Sequence, residues 1–331
     1  MSLSQPIVLL LTHSDDFFTI DRVAEALWQR GAYPFRLDTD LFPSEVQLSA
    51  TFTQKGLSHR IQYAHQSIAV DDIHSVWMRK IRIPKLSADL DNRFRDGCIR
   101  ESYAALEGFL DSLADVPWLD PLAHISAAEN KLRQLRVARE VGLCIPPTLV
   151  TNNPKEAREF FHALQGNVVA KMLTPLSQGM AGTSFFVYTS LVTEADLLEA
   201  ESLHHSPMVF QAAIPKQREL RVVYVDGQCF VGALEAAHYA EETMDWRCAQ
   251  SRTMAWLEDE LPSDVVQAVR ALMTRLGLAF GAIDLIRTPE GAHVFLEVNP
   301  CGEWGMLERD LDYPISSAIA DVLLSKSGVT V

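Results

Sequence analysis

The chain has 331 residues, enough for two or three cores, and with 48% hydrophobic and 22% charged side chains it has the composition of a folded protein and not of a disordered one. Lys and Arg number 29 against 43 for Asp and Glu, and the formal charge of −14 disfavours a nucleic-acid backbone as the main partner. The opening Met1–Gln5 lacks the basic region of a signal peptide, the apolar run Ile7–Leu11 is too short to span a membrane, and five scattered cysteines show no metal-ligand spacing, so a soluble, cytoplasmic protein is expected.

Pro6–Thr12 is predicted as a buried strand, followed by an amphipathic helix near Ile20–Arg30 that stops at Gly31 and by a second strand, Tyr33–Leu37. This opening calls for a parallel sheet, yet the first turn, His13-Ser14-Asp15-Asp16, carries no G-x-G-x-x-G dinucleotide fingerprint. Residues 46–80 alternate in strand fashion, with Val76–Arg79 the clearest element, and a long helix is expected from about Arg93 to Leu113. The breaker cluster Val116–Pro121 sets a first domain boundary. Beyond it come a helix over about Ala127–Val141, a strand at Pro147–Thr151, a helix opened by Asn152-Asn153-Pro154, and the strand Val168–Leu173. The loop Thr174–Thr183, a strand Phe185–Tyr188 and a helix Thr193–Leu203 complete a second unit. The last third holds the strand Met208–Gln211, a hairpin turning at Asp226-Gly227, a helix near Val265–Leu276, a second hairpin and a closing helix, Pro314–Leu324. The expected domains are 1–120, 121–207 and 208–331.

That second hairpin, Gly281–Ile286 and Val294–Pro300 joined by Thr288–Gly291, has unusual polar content. Asp284 interrupts one apolar run, while Glu297 and Asn299 lie two residues apart on the other and so share a face. If the strands pair, three oxygen donors converge, a hard set suited to Mg2+; the same residues also fit a twisted edge hairpin whose polar face meets water. Lys171 sits within an apolar strand, where a buried ammonium needs an anion, and Lys131 opens a helix, where by itself it reads as an exposed lysine. Ser177, Gly179 and Gly182 follow Lys171 in a loop whose backbone N–H groups and hydroxyl could cover phosphates. Gln211, Ala213 and Ile214 leave a strand where backbone groups could meet the edge of a purine. Glu219 and Arg221 share a strand face, and Arg247 in a polar loop offers a second guanidinium. No Ser/His/Asp or Cys/His arrangement stands out.

Taken in order, a helix-start lysine, a strand lysine, a Gly/Ser loop, a hinge strand, Glu-x-Arg, Asp and Glu-x-Asn resemble the ATP-grasp carboxylate–amine ligases over about residues 120–325. The stretches Leu9–Ser14, Phe17–Arg22, Phe35–Asp40, Ser75–Arg79, Pro215–Arg221 and Glu303–Asp310 extend the likeness to the ATP-grasp peptide ligases of microviridin-type biosynthesis. One departure from the superfamily is Ala212, where many members carry Glu after the hinge Gln.

The resemblance implies an α/β, ATP-grasp fold: an N-terminal α/β domain, then central and C-terminal α+β domains that sandwich ATP. It implies that Lys131 and Lys171 hold phosphates, that Gln211–Ile214 borders adenine, and that Asp284, Glu297 and Asn299 hold two Mg2+ ions. Arg221, with Arg247, would stabilise an acyl phosphate. Such enzymes cyclise a ribosomally made precursor peptide through ester or amide bonds between side chains, and the opening segment and the Glu303–Asp310 stretch are closer to the amide-forming branch, which joins Lys to Glu. A leader helix bearing aromatic residues and an Arg is implied as a partner, with Asp196 and Glu194 as candidate contacts; acidic residues at a helix start also complement its dipole. A homodimer is implied too. The rival readings are another ATP-grasp ligation and a nucleotide-binding scaffold without turnover; the charge of −14 disfavours a nucleic-acid or membrane module.

Overall fold

A computed structural model describes residues 5–174, 189–238 and 255–326 of the chain. The N-terminal part comprises β1 (Ile7–Thr12), α1 (Thr19–Gln29), β2 (Tyr33–Asp38), β3 (Gln47–Thr53), β4 (Gly56–Tyr63), β5 (Gln66–Ala69), β6 (Ile73–Met78) and α2 (Asn92–Asp111). The middle holds α3 (Leu122–Ala128), α4 (Lys131–Glu140), β7 (Thr148–Thr151), α5 (Pro154–Ala163), β8 (Val168–Lys171), β9 (Ser190–Leu191), α6 (Glu194–Leu198) and β10 (Met208–Ala212). The last part is β11 (Arg218–Val225), β12 (Gln228–Glu235), β13 (Leu257–Glu258), α7 (Ser263–Leu276), β14 (Phe280–Arg287), β15 (His293–Asn299), α8 (Gly305–Leu311) and α9 (Ile315–Lys326).

Val8–Leu11, fully buried, makes β1 the centre of a parallel sheet ordered β2-β1-β6, and β3-β4-β5 form a separate antiparallel sheet. A four-stranded antiparallel sheet, β7-β10-β8-β9, faces the cleft described below, and β13-β12-β11-β14-β15 form a five-stranded antiparallel sheet. Asp226 and Gly227, at φ 42° and 94°, make the tight turn between β11 and β12 that their sequence announced.

The five-stranded sheet has two unlike faces. One is apolar throughout: Leu220, Val222, Ile283, Leu285, Phe295 and Val298 pack with Val137, Leu272 and Met273 of α4 and α7. The other changes character along its strands. Val223, Val225 and Phe280 are buried with Val8, Leu10 and Trp77 and with Ile319 and Leu323 of α9, so the closing helix shares a core with the N-terminal sheet. Further along the same face come Glu219, Arg221, Asp284, Glu297 and Asn299, and there the sheet meets the cleft.

Several elements differ from their sequence expectation. The helix expected over Ala127–Val141 is two helices, because the Asn130 side chain accepts a hydrogen bond from Arg133 N (3.0 Å) and starts α4 anew, setting Lys131 in its first turn. The strand expected to reach Leu173 stops at Lys171, and the helix expected over Thr193–Leu203 is the short α6 followed by a 3-10 segment, Ala200–His205. Helix α8 carries no separate signal in the sequence. Phe185–Tyr188 lies outside the described residues.

Candidate active site

The register of β14 against β15 decides which side chains meet. From the turn, Arg287, Ile286 and Leu285 oppose His293, Val294 and Phe295; then Leu296 is bulged out and Asp284 opposes Glu297. An uninterrupted ladder would have set Glu297 opposite Ile283, a residue of the apolar face. The single extra residue turns Glu297, and Asn299 two residues on, to the cleft side, where the alternation of β14 already sets Asp284. On the other flank Asp284 opposes Arg221 of β11. The result is a row across three strands, Arg221–Asp284–Glu297.

Charges in this row are matched. Arg221 Nη1 stands 2.9 Å from Asp284 Oδ1, and Lys131 Nζ is 2.9 Å from Glu297 Oε2. Asn299 Nδ2 donates to Glu297 Oε1 at 3.1 Å. Burial alone would raise the Glu297 pKa, but Lys131 and Lys171 together reverse it and hold the carboxyl well below the usual range, so Glu297 is an anion. Burial lowers the pKa of Lys171, opposed by the charges of Glu297 and Asp284. Two carboxylates and one amide are a suitable donor set for a hard cation that also takes water and phosphate oxygens, and among the described residues no group of three His, Cys, Asp or Glu offers a fuller cage. The buried Arg221 guanidinium adds a second sign of a ligand: its Nε and Nη1 have no hydrogen-bond acceptor among the described residues, the Asp284 contact being a poorly aligned ion pair.

Opposite this row lies the four-stranded sheet. The cleft between them is lined by Lys171, Gln211–Ile214, Lys216, Glu219, Arg221, Asp284, Leu296 and Glu297, and an adjoining cavity that shares Lys171, Leu296 and Glu297 brings in Lys131. The Gln211 side chain is buried and donates to Thr148 Oγ1 (2.9 Å). Ala213 N–H donates to Asn167 O (2.9 Å). Glu219 pairs with Lys216 and not with Arg221. Ser177, Gly179 and Arg247 lie outside the described residues. Away from the cleft, Asp196 Oδ2 accepts from Thr193 N and Oγ1, both at 2.8 Å, in a capping box at the start of α6, while Glu194 is exposed.

In the sequence, Arg79 and Glu303 stand out only as parts of the stretches that carry the resemblance. The fold makes them a clamp. Arg79 is buried at the end of β6, donates to Cys301 O (2.6 Å) and Glu303 Oε2 (2.5 Å), and stands 4.0 Å from Asp16. Glu303 Oε1 in turn accepts from Gly305 N (2.9 Å) at the start of α8. The backbone just beyond Asn299 is thereby tied to the N-terminal sheet. Burial against such a long-range partner leaves no local pattern to read.

Two paired lysines, a hinge strand and an Arg–Asp–Glu row between two antiparallel sheets define an ATP-grasp site. The family description "MvdD pre-ATP grasp domain" matches residues 7–126, and "Prokaryotic glutathione synthetase, ATP-grasp domain" matches 130–302. Among solved structures, macrocyclase MdnB from Microcystis aeruginosa MRC is 58% identical, with a TM-score of 0.82 over 96% of this chain and 99% of that one. Macrocyclase MdnC from the same organism, bound with precursor peptide MdnA, is 35% identical at a TM-score of 0.85 over 96% and 99%. A Chryseobacterium gregarium RiPP-associated ATP-grasp ligase in complex with ADP and a leader and core peptide is 31% identical at 0.87 over 97% of each chain. Comparison with curated proteins gives no match. The chain belongs to the microviridin-type ATP-grasp ligases, and it is an ADP-forming ligase of that class. Among the described residues no helix is long and apolar enough to cross a membrane.

Proposed function

We propose that this protein is an ATP-dependent macrocyclase of a ribosomally made precursor peptide, and that it joins a Lys and a Glu side chain as a lactam. The observation that carries the reading is the Arg221–Asp284–Glu297 row facing Lys171 and the hinge strand, in a chain similar over nearly its whole length to two macrocyclases. Lys131 and Lys171 would hold phosphates of ATP, with Ser177 and Gly179 in the covering loop, and the backbone of Gln211, Ala213 and Ile214 would border adenine. Asp284, Glu297 and Asn299 would hold Mg2+, in two ions, which when bound would neutralise charge on the phosphoryl group.

An oxygen of the substrate carboxylate attacks the γ-phosphorus, and ADP leaves with the bridging oxygen. The substrate amine then attacks the acyl carbon of the acyl phosphate, the C–O bond to phosphate breaks, and the amine nitrogen gives up a proton. Arg221, with Arg247, would hold the phosphoryl oxygens and the oxyanion that forms at the acyl carbon. No protein nucleophile is required. The choice of lactam over lactone rests on the likeness of the opening segment and of Glu303–Asp310 to the amide-forming branch.

A leader helix has a candidate dock beside α6. A groove of about 470 Å3 there has Leu191, Leu203, Met208 and Phe210 on its floor and Asp196 and Glu199 at its rim, suited to an aromatic-bearing helix with an Arg. The capping bonds of Asp196 both go to Oδ2, so its other oxygen can still accept. A homodimer in the cytoplasm, built from units 1–120, 121–207 and 208–331, completes the reading.

The test is to incubate the protein with ATP, Mg2+ and a candidate precursor, following ADP release and loss of the mass of water from the peptide. Ring formation should vanish when the acceptor lysine of the precursor is replaced. Cyclisation that persists without any lysine would assign ester formation instead.

A further inference from the structure

Among the described residues β15 ends its sheet, so the backbone groups on its outer edge have no strand there to pair with. At Phe295 the gap is covered by Cys144, whose carbonyl accepts from Phe295 N at 2.8 Å. At Val298, the residue between Glu297 and Asn299, it is covered by one side chain. Gln134 of α4, with no exposed surface, donates from Nε2 to Val298 O at 2.8 Å and accepts from Val298 N at Oε1 at 2.9 Å. Its second Nε2 hydrogen goes to Ala128 O at 2.6 Å. The amide can be oriented only one way, since a flip would set Nε2 against the Val298 N–H and Oε1 against two carbonyls. Gln134 thus acts as a one-residue strand.

It lies one helical turn from Lys131, whose Nζ reaches Glu297 Oε2 at 2.9 Å and Val298 O at 3.3 Å. The same face of α4 therefore grips the side chain of one proposed metal ligand and the peptide unit between both. The grip matters because Leu296, immediately before, is bulged out of the ladder, and a bulge loosens the register that directs Glu297 and Asn299 to the cleft.

We infer that Gln134 is a positioning residue for the metal centre: its amide, by pairing with both backbone groups of Val298, fixes the Glu297–Asn299 pair in the geometry that holds Mg2+. This rests on the metal reading given under the proposed function. It acts at one remove, as groups that orient metal ligands do, and such groups change metal affinity by roughly 10- to 100-fold when removed.

The experiment is calorimetric titration of the full-length protein with Mn2+ in the presence of ADP, alongside thermal melting. Gln134→Met keeps the length of the side chain and removes every hydrogen bond. Gln134→Glu keeps the acceptor for Val298 N–H and removes both donors, and it carries the test if the Met variant fails to fold. Val137→Ala, a buried position on the same helix that shares the apolar core with Val298 but has no polar side-chain group to bond it, controls for loss of stability alone. Both Gln134 variants should bind Mn2+ roughly 10-fold or more weakly, while Val137→Ala lowers the melting temperature with Mn2+ affinity unchanged. Wild-type Mn2+ affinity in whichever Gln134 variant folds would overturn the inference. A Glu297→Gln arm separates the two claims. If it too leaves Mn2+ affinity unchanged, the metal assignment itself fails; if it weakens binding and the Gln134 variants do not, only the positioning role fails.

Discussion

Arg221 shows how much a single side chain in this site depends on its neighbours. It is buried, its charge is met by Asp284 at 2.9 Å, and two of its nitrogens have no hydrogen-bond acceptor among the described residues. A planar guanidinium presents several fixed donors to phosphoryl or acyl oxygens, whereas a lysine presents a point charge. Arg221→Lys should therefore keep the fold and the Asp284 ion pair, yet lower kcat roughly 100-fold with little change in the KM for ATP, measured as ADP release in the presence of precursor. Unchanged kcat would remove Arg221 from the chemistry. Lys171 could be singled out in the sequence because a charge inside an apolar strand is anomalous, and Arg221 only because it shares a strand face with Glu219. Gln134 could not, because an amide on a helix is ordinary until its partner is known.

At the level of elements, the hairpin β14–β15 was legible in its strands, its turn and its polar residues, but not in its bulge. Val294-Phe295-Leu296 reads as an uninterrupted apolar run, and nothing in it marks Leu296 as the extra residue that brings Glu297 opposite Asp284. The helix expected over Ala127–Val141 ran past the break between α3 and α4, although Lys131 was also read as opening a helix and Asn130 caps it. A third junction carries a pH signature. Asp120, buried in the breaker cluster, accepts from Ala279 N (2.6 Å) and Phe280 N (3.0 Å) and so anchors the start of β14. Burial outweighs those bonds and the nearby Lys326, and its pKa is pushed up to about 6. The folded state then holds a proton that the unfolded chain has released, so this group's stabilising contribution is full below about pH 4 and is lost as pH rises through about 6. Urea midpoints at several pH values should show the wild type losing up to about 3 kcal/mol relative to Asp120→Asn across that window. A difference between the two that stays flat with pH would contradict the account of Asp120.

Across the whole molecule, the parallel opening sheet and the two later hairpins followed from the order of strands and helices, while the mutual packing of the sheets did not. The closing helix was expected, but not that Ile315, Ile319, Val322 and Leu323 of α9 would be buried with Val8 and Leu10, more than 300 residues earlier in the chain. Each fully buried aliphatic side chain contributes about 1.5–3 kcal/mol, and several together rival the whole stability of a domain, so a chain cut before Pro314 should be insoluble or molten. A truncated protein that stays soluble and melts cooperatively would show that the N-terminal sheet closes its core without α9. That packing also joins the parts that frame the cleft, since α9 and the Arg79 clamp both bind the N-terminal sheet to the segment carrying Glu297 and Asn299. The central claim is that this segment is the metal end of an ATP site that drives ring closure. Its most direct test is ring formation by Glu297→Gln and Asn299→Ala, followed by mass loss of the precursor, with melting curves recorded on the same samples. Both variants should melt like the folded wild type and form no ring; full cyclisation by either would contradict the metal assignment.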